Sequence, residues 1–200
     1  MTKRREVILD TFSRLVSSYG LGKTSMHDIA KAMGISVGTI YNDFANKEDL
    51  IFAFWQRVEE QCIDYLNSLV GRDLPPEQLL RLMMLEHVRM FNEQLRGNRG
   101  IYELMMESAI SYIGKSLLGR RQIIQQELIN RVGQIFRIGM ENGTFEIHGD
   151  VFTAATYFVA AFTEYLAPPL AMSRESEEVL KEAGAMFDFV IRAVRKDAAG

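Results

Sequence analysis

The segment Thr24–Leu50, TSMHDIAKAMGISVGTIYNDFANKEDL, contains three possible helix starts in one short stretch. A helix begins readily where a short polar side chain accepts from the N–H groups of the first turn, above all with an acidic or amide residue three positions later. The three candidate starts, each with the residue three positions later, are Ser25 with Asp28, Ser36 with Thr39, and Asn46 with Asp49. Between the first two starts, Gly34 can adopt the left-handed conformation that ends a helix. The segment therefore predicts a helix, a three-residue turn, a second helix and an immediate restart.

Each short helix in this segment has an inner apolar face and needs another element to rest on. The apolar residues that form these faces are Ile29, Met33, Ile35, Ile40, Phe44, Leu50 and Ile51. Residues 5–20, REVILDTFSRLVSSYG, supply a supporting helix, because apolar residues recur there at helical spacing and Gly20 ends the run. The result is a small helical domain around a helix-turn-helix, which places its second helix in the DNA major groove. The alternative is a compact helical subdomain with ordinary caps and no role with nucleic acid.

The order of these elements, from basic N-terminal residues to a long all-helical remainder, resembles the TetR family of transcriptional regulators over residues 5–55. The family's recognition segment has the form Gly-aliphatic-Ser-x-Gly-Thr-aliphatic-Tyr-x-His-Phe. The matching residues are Gly34, Ile35, Ser36, Gly38, Thr39, Ile40, Tyr41 and Phe44. Two positions depart from it: Val37 stands where a polar or basic residue is frequent, and Asp43 replaces the usual His. The resemblance implies an all-α fold, with a three-helix DNA-binding domain followed by a helical domain for ligand binding and dimerisation.

Residues in and around the second helix carry groups that suit DNA. Thr39, Tyr41 and Lys47 offer hydroxyls and a cation for phosphate oxygens, at or near helix N-termini. Val37 can contact a thymine methyl group, and Asn42 can pair with adenine or meet a phosphate. The expected DNA-binding residues are Lys3, Arg4, Arg5, Ser25, Ser36, Val37, Gly38, Thr39, Tyr41, Asn42 and Lys47.

Two features near this surface leave more than one interpretation. Asp43 either accepts from a cytosine amine or pairs with Lys47 away from the DNA. Lys3, Arg4 and Arg5 are interpreted as an arm that adds affinity independent of sequence.

The net charge of −3 is distributed unevenly along the chain. Residues 1–57 contain eight basic and six acidic residues, a net charge of +2, whereas the remainder contains fifteen basic and twenty acidic residues, a net charge of −5. The N-terminal region is therefore mildly basic and the rest of the chain is acidic. No apolar run is long enough to span a membrane and no secretory signal is visible, so we expect a cytoplasmic protein without membrane contact.

The remaining chain has helical periodicity throughout, with no convincing strand and no internal repeat. Predicted helices run from Asn46 to Gly71 and over residues 76–97, 101–114, 120–143, 150–167 and 173–196. The last two are rich in alanine, glycine and phenylalanine, which suits a close helix-helix interface. The resemblance implies that they pair with their copies in a second subunit, while the alternative is that they close the core of the monomer. The expected dimer-interface residues are Ala154, Phe158, Ala161, Phe162, Ala183, Phe187 and Val190.

Flexible and aromatic apolar residues are dense in the middle helices. Periodicity alone favours an ordinary core there, whereas the resemblance implies a pocket for an effector. The expected pocket residues are Trp55, Cys62, Tyr65, Met83, His87, Met90, Phe91, Tyr102, Glu103, Met106, Phe136 and Met140. For His87 a hydrogen-bonded core histidine is favoured over a ligand contact, and a metal ligand is the least favoured role, because no His or carboxylate lies three or four residues away. We expect Cys62, the only cysteine, to act as a packing residue.

The sequence contains no Gly-rich phosphate loop, no nucleophile elbow and no paired histidines at metal spacing, so we expect no enzyme activity, cofactor or metal. Three functions are compared: a ligand-responsive repressor, a constitutive or architectural DNA binder, and, least favoured, a helical enzyme or lipid carrier with an incidental helix-turn-helix. The first is favoured. It assigns DNA binding to residues 1–46, and effector binding and dimerisation to residues 47–200. Its partners are a double-stranded inverted-repeat operator, a largely apolar small molecule that releases the DNA, and a second copy of the chain.

Overall fold

The computed structural model describes residues 3–70, 72–97, 102, 112–167 and 172–196. Within these ranges the chain is helical, and its one β-type pairing is an isolated antiparallel bridge between Phe145 and Arg195. The helices are α1 Lys3–Tyr19, α2 Met26–Met33, α3 Val37–Tyr41, α4 Lys47–Val70, α5 Pro76–Gly97, α6 Tyr112–Glu141, α7 Val151–Ala160 and α8 Ser176–Val190, with 3-10 helices at Thr163–Leu166 and Ile191–Ala193. The all-α prediction is confirmed for the described residues.

The chain forms two compact units. Unit 1 comprises residues 1–61 and 94–120, and unit 2 comprises residues 62–93 and 121–200. Helix α4 contributes residues to both, so unit 1 extends past the domain boundary predicted after residue 46. That boundary concerns function and stays a prediction.

Unit 1 is built on the buried face of α1. Its core residues are Ile8, Leu9, Phe12, Val16, Ile29, Ile40, Phe44, Leu50 and Phe54. The rings of Phe12 and Phe54 meet edge to face, with centroids 5.7 Å apart. A helix of five residues such as α3 is not stable alone, and the burial of Ile40 and Phe44 supplies its stability.

Unit 2 has a core of aromatic rings. Phe158 lies at its centre, with ring centroids 5.4 Å from Phe136 and 5.8 Å from Phe187 in edge-to-face arrangements. Phe145 packs so closely over α6 that a Cβ atom added at Gly139 would overlap its ring. Glycine at this position therefore lets the short connection between α6 and α7 close over the core.

Three predicted helices differ from the structure. Helix α6 begins eight residues earlier than predicted and continues through Gly114 and Gly119, because an interior glycine costs a helix only about 1 kcal/mol. The helix predicted over residues 150–167 ends at Ala160 and resumes as a 3-10 turn, and the last helix likewise tightens into a 3-10 turn after Val190. The 3-10 turn at residues 163–166 brings the Tyr165 carbonyl within 3.2 Å of Nδ2 of buried Asn92. The helix predicted over residues 101–114 lies largely outside the described residues.

Candidate nucleic-acid interface

Two capped helices form the helix-turn-helix. At the start of α2, the Ser25 hydroxyl accepts from the Asp28 N–H at 3.3 Å, and the Asp28 carboxylate accepts from the Ser25 N–H at 2.8 Å. The Ser25 hydroxyl also donates to the Asp28 carboxylate, and this hydrogen bond, followed by that from the Ser25 N–H, holds the pKa of Asp28 below its ordinary value. Gly34 ends α2 with φ of +68°, and residues 34–36 form the predicted three-residue turn. The predicted caps and turn are therefore confirmed.

Helix α3 exposes one face while Ile40 is fully buried on the other. Ser36, Gly38, Tyr41 and Asn42 lie on the exposed side, and the Tyr41 ring is 48% exposed. This face presents hydroxyls and an amide. Such groups can donate hydrogen bonds to DNA phosphates and form hydrogen bonds with base edges.

The Ser36 hydroxyl also has a structural role. It accepts from the Thr39 N–H at 3.2 Å and lies 2.9 Å from the Thr39 hydroxyl. Ser36 therefore caps α3, and Thr39 is half-buried beside it. This cap holds the first turn of α3, which contains Val37 and Gly38, in one conformation.

The C-terminal end of α3 is bound by two arginines of α1. Asp43, whose side chain is only 8% exposed, accepts from Nε of Arg4 at 2.5 Å, and its main-chain carbonyl accepts from the Arg5 guanidinium. The Arg5 guanidinium also lies 4.2 Å from the centre of the Phe44 ring, a cation–π contact. The ion pair raises the pKa of Arg4 above its ordinary value.

Two predictions about this region were wrong. Lys3, Arg4 and Arg5 do not form an arm separate from the domain, because α1 begins at Lys3 and both arginines contact the end of α3. Asp43 does not pair with Lys47, whose Nζ instead donates to the Leu21 carbonyl at 2.6 Å. Sequence reasoning missed the Arg4–Asp43 pair because 39 positions separate the two residues.

Ion pairs also join α1 to α4, and these were not predicted. Arg57 lies 2.6 Å from the Asp10 carboxylate and 3.3 Å from that of Glu6. Glu6 and Asp10 are four positions apart and so lie on one face of α1, but nothing local in the sequence identifies Arg57 as their partner.

Among the predicted pocket residues, Trp55 belongs to unit 1 and is buried. Its indole N–H has no hydrogen-bond partner among the described residues. Tyr102 is half-buried, and Glu103 and Met106 lie outside the described residues.

In unit 2, the predicted pocket residues differ in burial, and the pocket stays a prediction. Cys62 and His87 are buried together with Sγ 3.6 Å from Nδ1, the hydrogen-bonded histidine that the sequence favoured. Burial raises the pKa of the Cys62 thiol to about 11, so a neutral thiol lies against the His87 ring. Met140, by contrast, lies on an exposed face of α6. Of the other members, Met83 and Phe136 are buried, whereas Tyr65, Met90 and Phe91 are half-buried.

A polar network lies at Tyr65. Its hydroxyl donates to Glu86 at 3.0 Å, and Nε of Arg89 donates to the same carboxylate at 3.0 Å. The Arg89 hydrogen bond lowers the pKa of Glu86, whereas burial and then Glu86 raise the pKa of Tyr65. Within the described ranges, no three His, Cys, Asp or Glu side chains come together in a way that could hold a metal ion.

Four of the predicted dimer-interface residues are core residues of unit 2. Phe158, Phe162, Ala183 and Phe187 are buried within a single chain, so their side chains have no surface to offer a second copy. The prediction was wrong for these four because aromatic and small residues suit a monomer core and an interface equally well. The residues that remain partly exposed are Ala154, Ala161 and Val190.

Aromatic residues that the prediction omitted are exposed on the same helices. Tyr157 on α7 and Phe189 on α8 are each 72% exposed, and Phe152 is 46% exposed. The sequence signal that could have found them is their angular distance around the helix, at least about 100° from the neighbouring buried phenylalanine, at about 100° per residue.

Within the described residues, the helical fold and the capped helix-turn-helix with an exposed polar second helix have the architecture of helix-turn-helix DNA-binding proteins. Residues 8–54 match the model of the bacterial regulatory proteins, tetR family. Residues 8–54 are thus similar to the DNA-binding domain of this family, and the resemblance to the TetR family seen in the recognition segment is confirmed over that domain.

Similar proteins agree with this assignment. The chain is 44% identical over 86 residues to the HTH-type transcriptional regulator AcrR of Shigella flexneri, an alignment that covers 41% of this chain and 40% of AcrR. The chain thus spans less than half the length of that relative.

Solved structures share the fold over nearly the whole chain. A transcriptional regulator from Cytophaga hutchinsonii superposes with a TM-score of 0.79 at 17% identity, covering 98% of this chain and all of the other. The SmeT–triclosan complex superposes with a TM-score of 0.72 at 24% identity, covering 98% of this chain and 94% of the other. None of the helices that the structure describes is long and apolar enough to cross a membrane.

Proposed function

We propose that this chain is a ligand-responsive transcriptional repressor that binds an inverted-repeat operator as a homodimer and is released by a largely apolar small molecule. Residues 1–46 bind DNA in this proposal, and residues 47–200 bind the effector and dimerise. The observation that carries the proposal is the exposed, capped helix α3 within a TetR-family domain.

Within α3 the proposal separates positioning from reading. Tyr41 and Asn42 are exposed side by side at the C-terminal end of the helix. The Tyr41 hydroxyl donates to a phosphate, which aids binding to every sequence alike. The Asn42 amide pairs with adenine, and this contact depends on sequence.

Dimerisation is assigned to the exposed aromatic residues of α7 and α8. Apolar surface is exposed at Tyr157, Phe189 and Phe152. Exposed apolar patches often mark interaction sites between proteins. Two copies related by a two-fold axis present two identical recognition helices, so the operator is an inverted repeat with half-sites about one helical turn apart.

The effector is assigned to the helices that are dense in methionine and aromatic residues, with a few polar groups for orientation. Trp55 supports a polar component of this ligand, since its buried indole N–H meets no acceptor among the described residues. SmeT, which shares the fold, forms a complex with triclosan. Triclosan is therefore the starting probe for this chain.

The test is footprinting of the purified protein on an operator selected from random duplex DNA, followed by titration with triclosan and an apolar compound set. Two-fold-symmetric protection by a dimer and loss of protection with one compound support the proposal. Protection of a single half-site by a monomer refutes the dimer. Symmetric binding that no stabilising compound alters supports the constitutive binder instead.

A matched pair of variants tests the reading assignment. Tyr41→Phe should weaken binding to all sequences by about 1 kcal/mol, because one phosphate hydrogen bond is lost. Asn42→Ala should change the preferred bases, at a cost of about 1–3 kcal/mol on the original operator. Repeating the operator selection measures both, and an unchanged preference with Asn42→Ala would reduce Asn42 to a backbone contact.

A further inference from the structure

The Arg4–Asp43 ion pair lies next to the face of α3 that is proposed to meet DNA. Asp43 directly follows the exposed Tyr41 and Asn42, and its carboxylate is 2.5 Å from Nε of Arg4. The Asp43 side chain is almost buried, whereas that of Arg4 is 54% exposed. A carboxylate thus stands directly beside the face that would approach a polyanion.

An unpaired carboxylate at this place would be repelled by DNA phosphates, and an unpaired guanidinium would be attracted to them. When the two groups are in contact, their electrostatic potentials largely cancel at a phosphate that neither group touches. The salt dependence of DNA binding reports the number of phosphates that protein cations neutralise, at about 0.9 in the logarithmic slope for each phosphate. The slope therefore distinguishes a cancelled arginine from one that is engaged with DNA.

We propose that Asp43 and Arg4 act as a neutral pair, in which Asp43 withholds Arg4 from DNA phosphates and is a positioning residue that limits sequence-independent affinity. The pair holds the end of α3 while adding no net charge to the interface. This inference rests on the proposed DNA binding. It also gives Asp43 a role other than base reading.

The experiment measures binding of the full-length protein to a non-specific duplex by fluorescence anisotropy from 50 to 500 mM KCl. Asp43→Asn should steepen the logarithmic slope by about 0.9, so that affinity falls about eightfold more than that of the wild type over this range. Arg4→Gln should make the slope shallower, because it leaves an uncompensated carboxylate. The double variant Arg4→Gln/Asp43→Asn should restore the wild-type slope, since it replaces one neutral pair by another.

Asp10→Asn is the matched control. It removes one carboxylate from another ion pair of α1, that with Arg57 at 2.6 Å, in the same unit. Because Asp10 is two helical turns from Lys3, we expect the wild-type slope. Thermal unfolding of each variant identifies changes that arise from loss of structure.

A different pattern overturns the inference. If Arg4 contacts a phosphate independently of Asp43, Asp43→Asn will leave the slope unchanged, and Arg4→Gln and the double variant will be equally shallow. Should Asp43→Asn fail to fold, the comparison of Arg4→Gln with the double variant still decides between the two patterns. If the wild type itself shows no salt-dependent binding to duplex DNA, the proposed function fails. If the wild type binds but Asp43→Asn leaves the slope unchanged, only the inference about the Arg4–Asp43 pair fails.

Discussion

The helix-turn-helix and the core of unit 2 differ in the sequence distance between the residues that shape them. The caps of α2 and α3 join residues three positions apart, Ser25 with Asp28 and Ser36 with Thr39. The aromatic contacts of unit 2 join Phe158 to Phe136 and to Phe187, across two different helix pairs. The comparison teaches that the first region is specified by local chemistry and the second by the packing of distant segments.

The largest expected effect tests the assignment of Phe158 to the core. Phe158→Ala should lower the free energy of unfolding by about 3–5 kcal/mol, because it leaves a cavity among three other rings. Chemical denaturation followed by circular dichroism measures this loss. A folded, fully stable variant would contradict the core assignment and favour the interface role that the family resemblance implied for Phe158.

The Cys62–His87 pair provides a test by pH. The folded thiol has a pKa of about 11, against an ordinary value of 9.0. The folded state therefore keeps a proton that the unfolded state loses, and stability should fall as the pH rises from about 9 to about 11, by up to about 2.7 kcal/mol. Stability curves of wild type and Cys62→Ala measure it, since the variant lacks this part of the pH dependence. Parallel curves would contradict a buried neutral thiol.

The exposed aromatic residues should affect association rather than folding. Tyr157→Ala should weaken the dimer by about 2 kcal/mol if it lies near the centre of the interface, while leaving the melting temperature of dilute protein nearly unchanged. Sedimentation equilibrium measures the dimer constant, and Thr153→Ala on the same exposed side of α7 is the control. An unaltered association constant would remove Tyr157 from the proposed interface.

The smallest effects concern two glycines of the helix-turn-helix and should have opposite signs. Gly34→Ala should destabilise the protein by about 1 kcal/mol, because φ of +68° strains any residue with a Cβ. Gly38→Ala has room for its Cβ, with Ser36 Oγ 3.7 Å away, and should stabilise α3 by about 0.5–1 kcal/mol. Thermal unfolding measures both. Equal effects would mean that local backbone conformation does not govern this region.

Gly38→Ala also separates stability from function. If the backbone of α3 approaches DNA closely at Gly38, this variant should bind the operator more weakly although it is more stable. Anisotropy titration of the two glycine variants supplies the comparison. Unchanged affinity would show that Gly38 serves helix geometry alone.

Most of the helices could be predicted, and the errors have physical causes. The starts of α2, α3 and α4 and the stop at Gly34 depend on groups within a few residues. The early start of α6 was missed because interior glycines were interpreted as boundaries, although a long helix tolerates them. The shape of the effector site stayed a prediction, because the expected residues are distributed over several helices whose packing no local pattern describes.

The amino-acid sequence by itself determined the helix-turn-helix, because hydrogen bonds of the caps and the conformation of Gly34 operate within one helical turn. Tertiary structure alone decided that Asp43 pairs with Arg4, that Cys62 lies against His87, and that Tyr157 rather than Phe158 faces outward. Each of these outcomes depends on which helix faces pack together. The packing of helix faces depends on the apolar area buried over a whole unit. A single helix has several faces that could pack, and its own sequence does not specify which of them is buried.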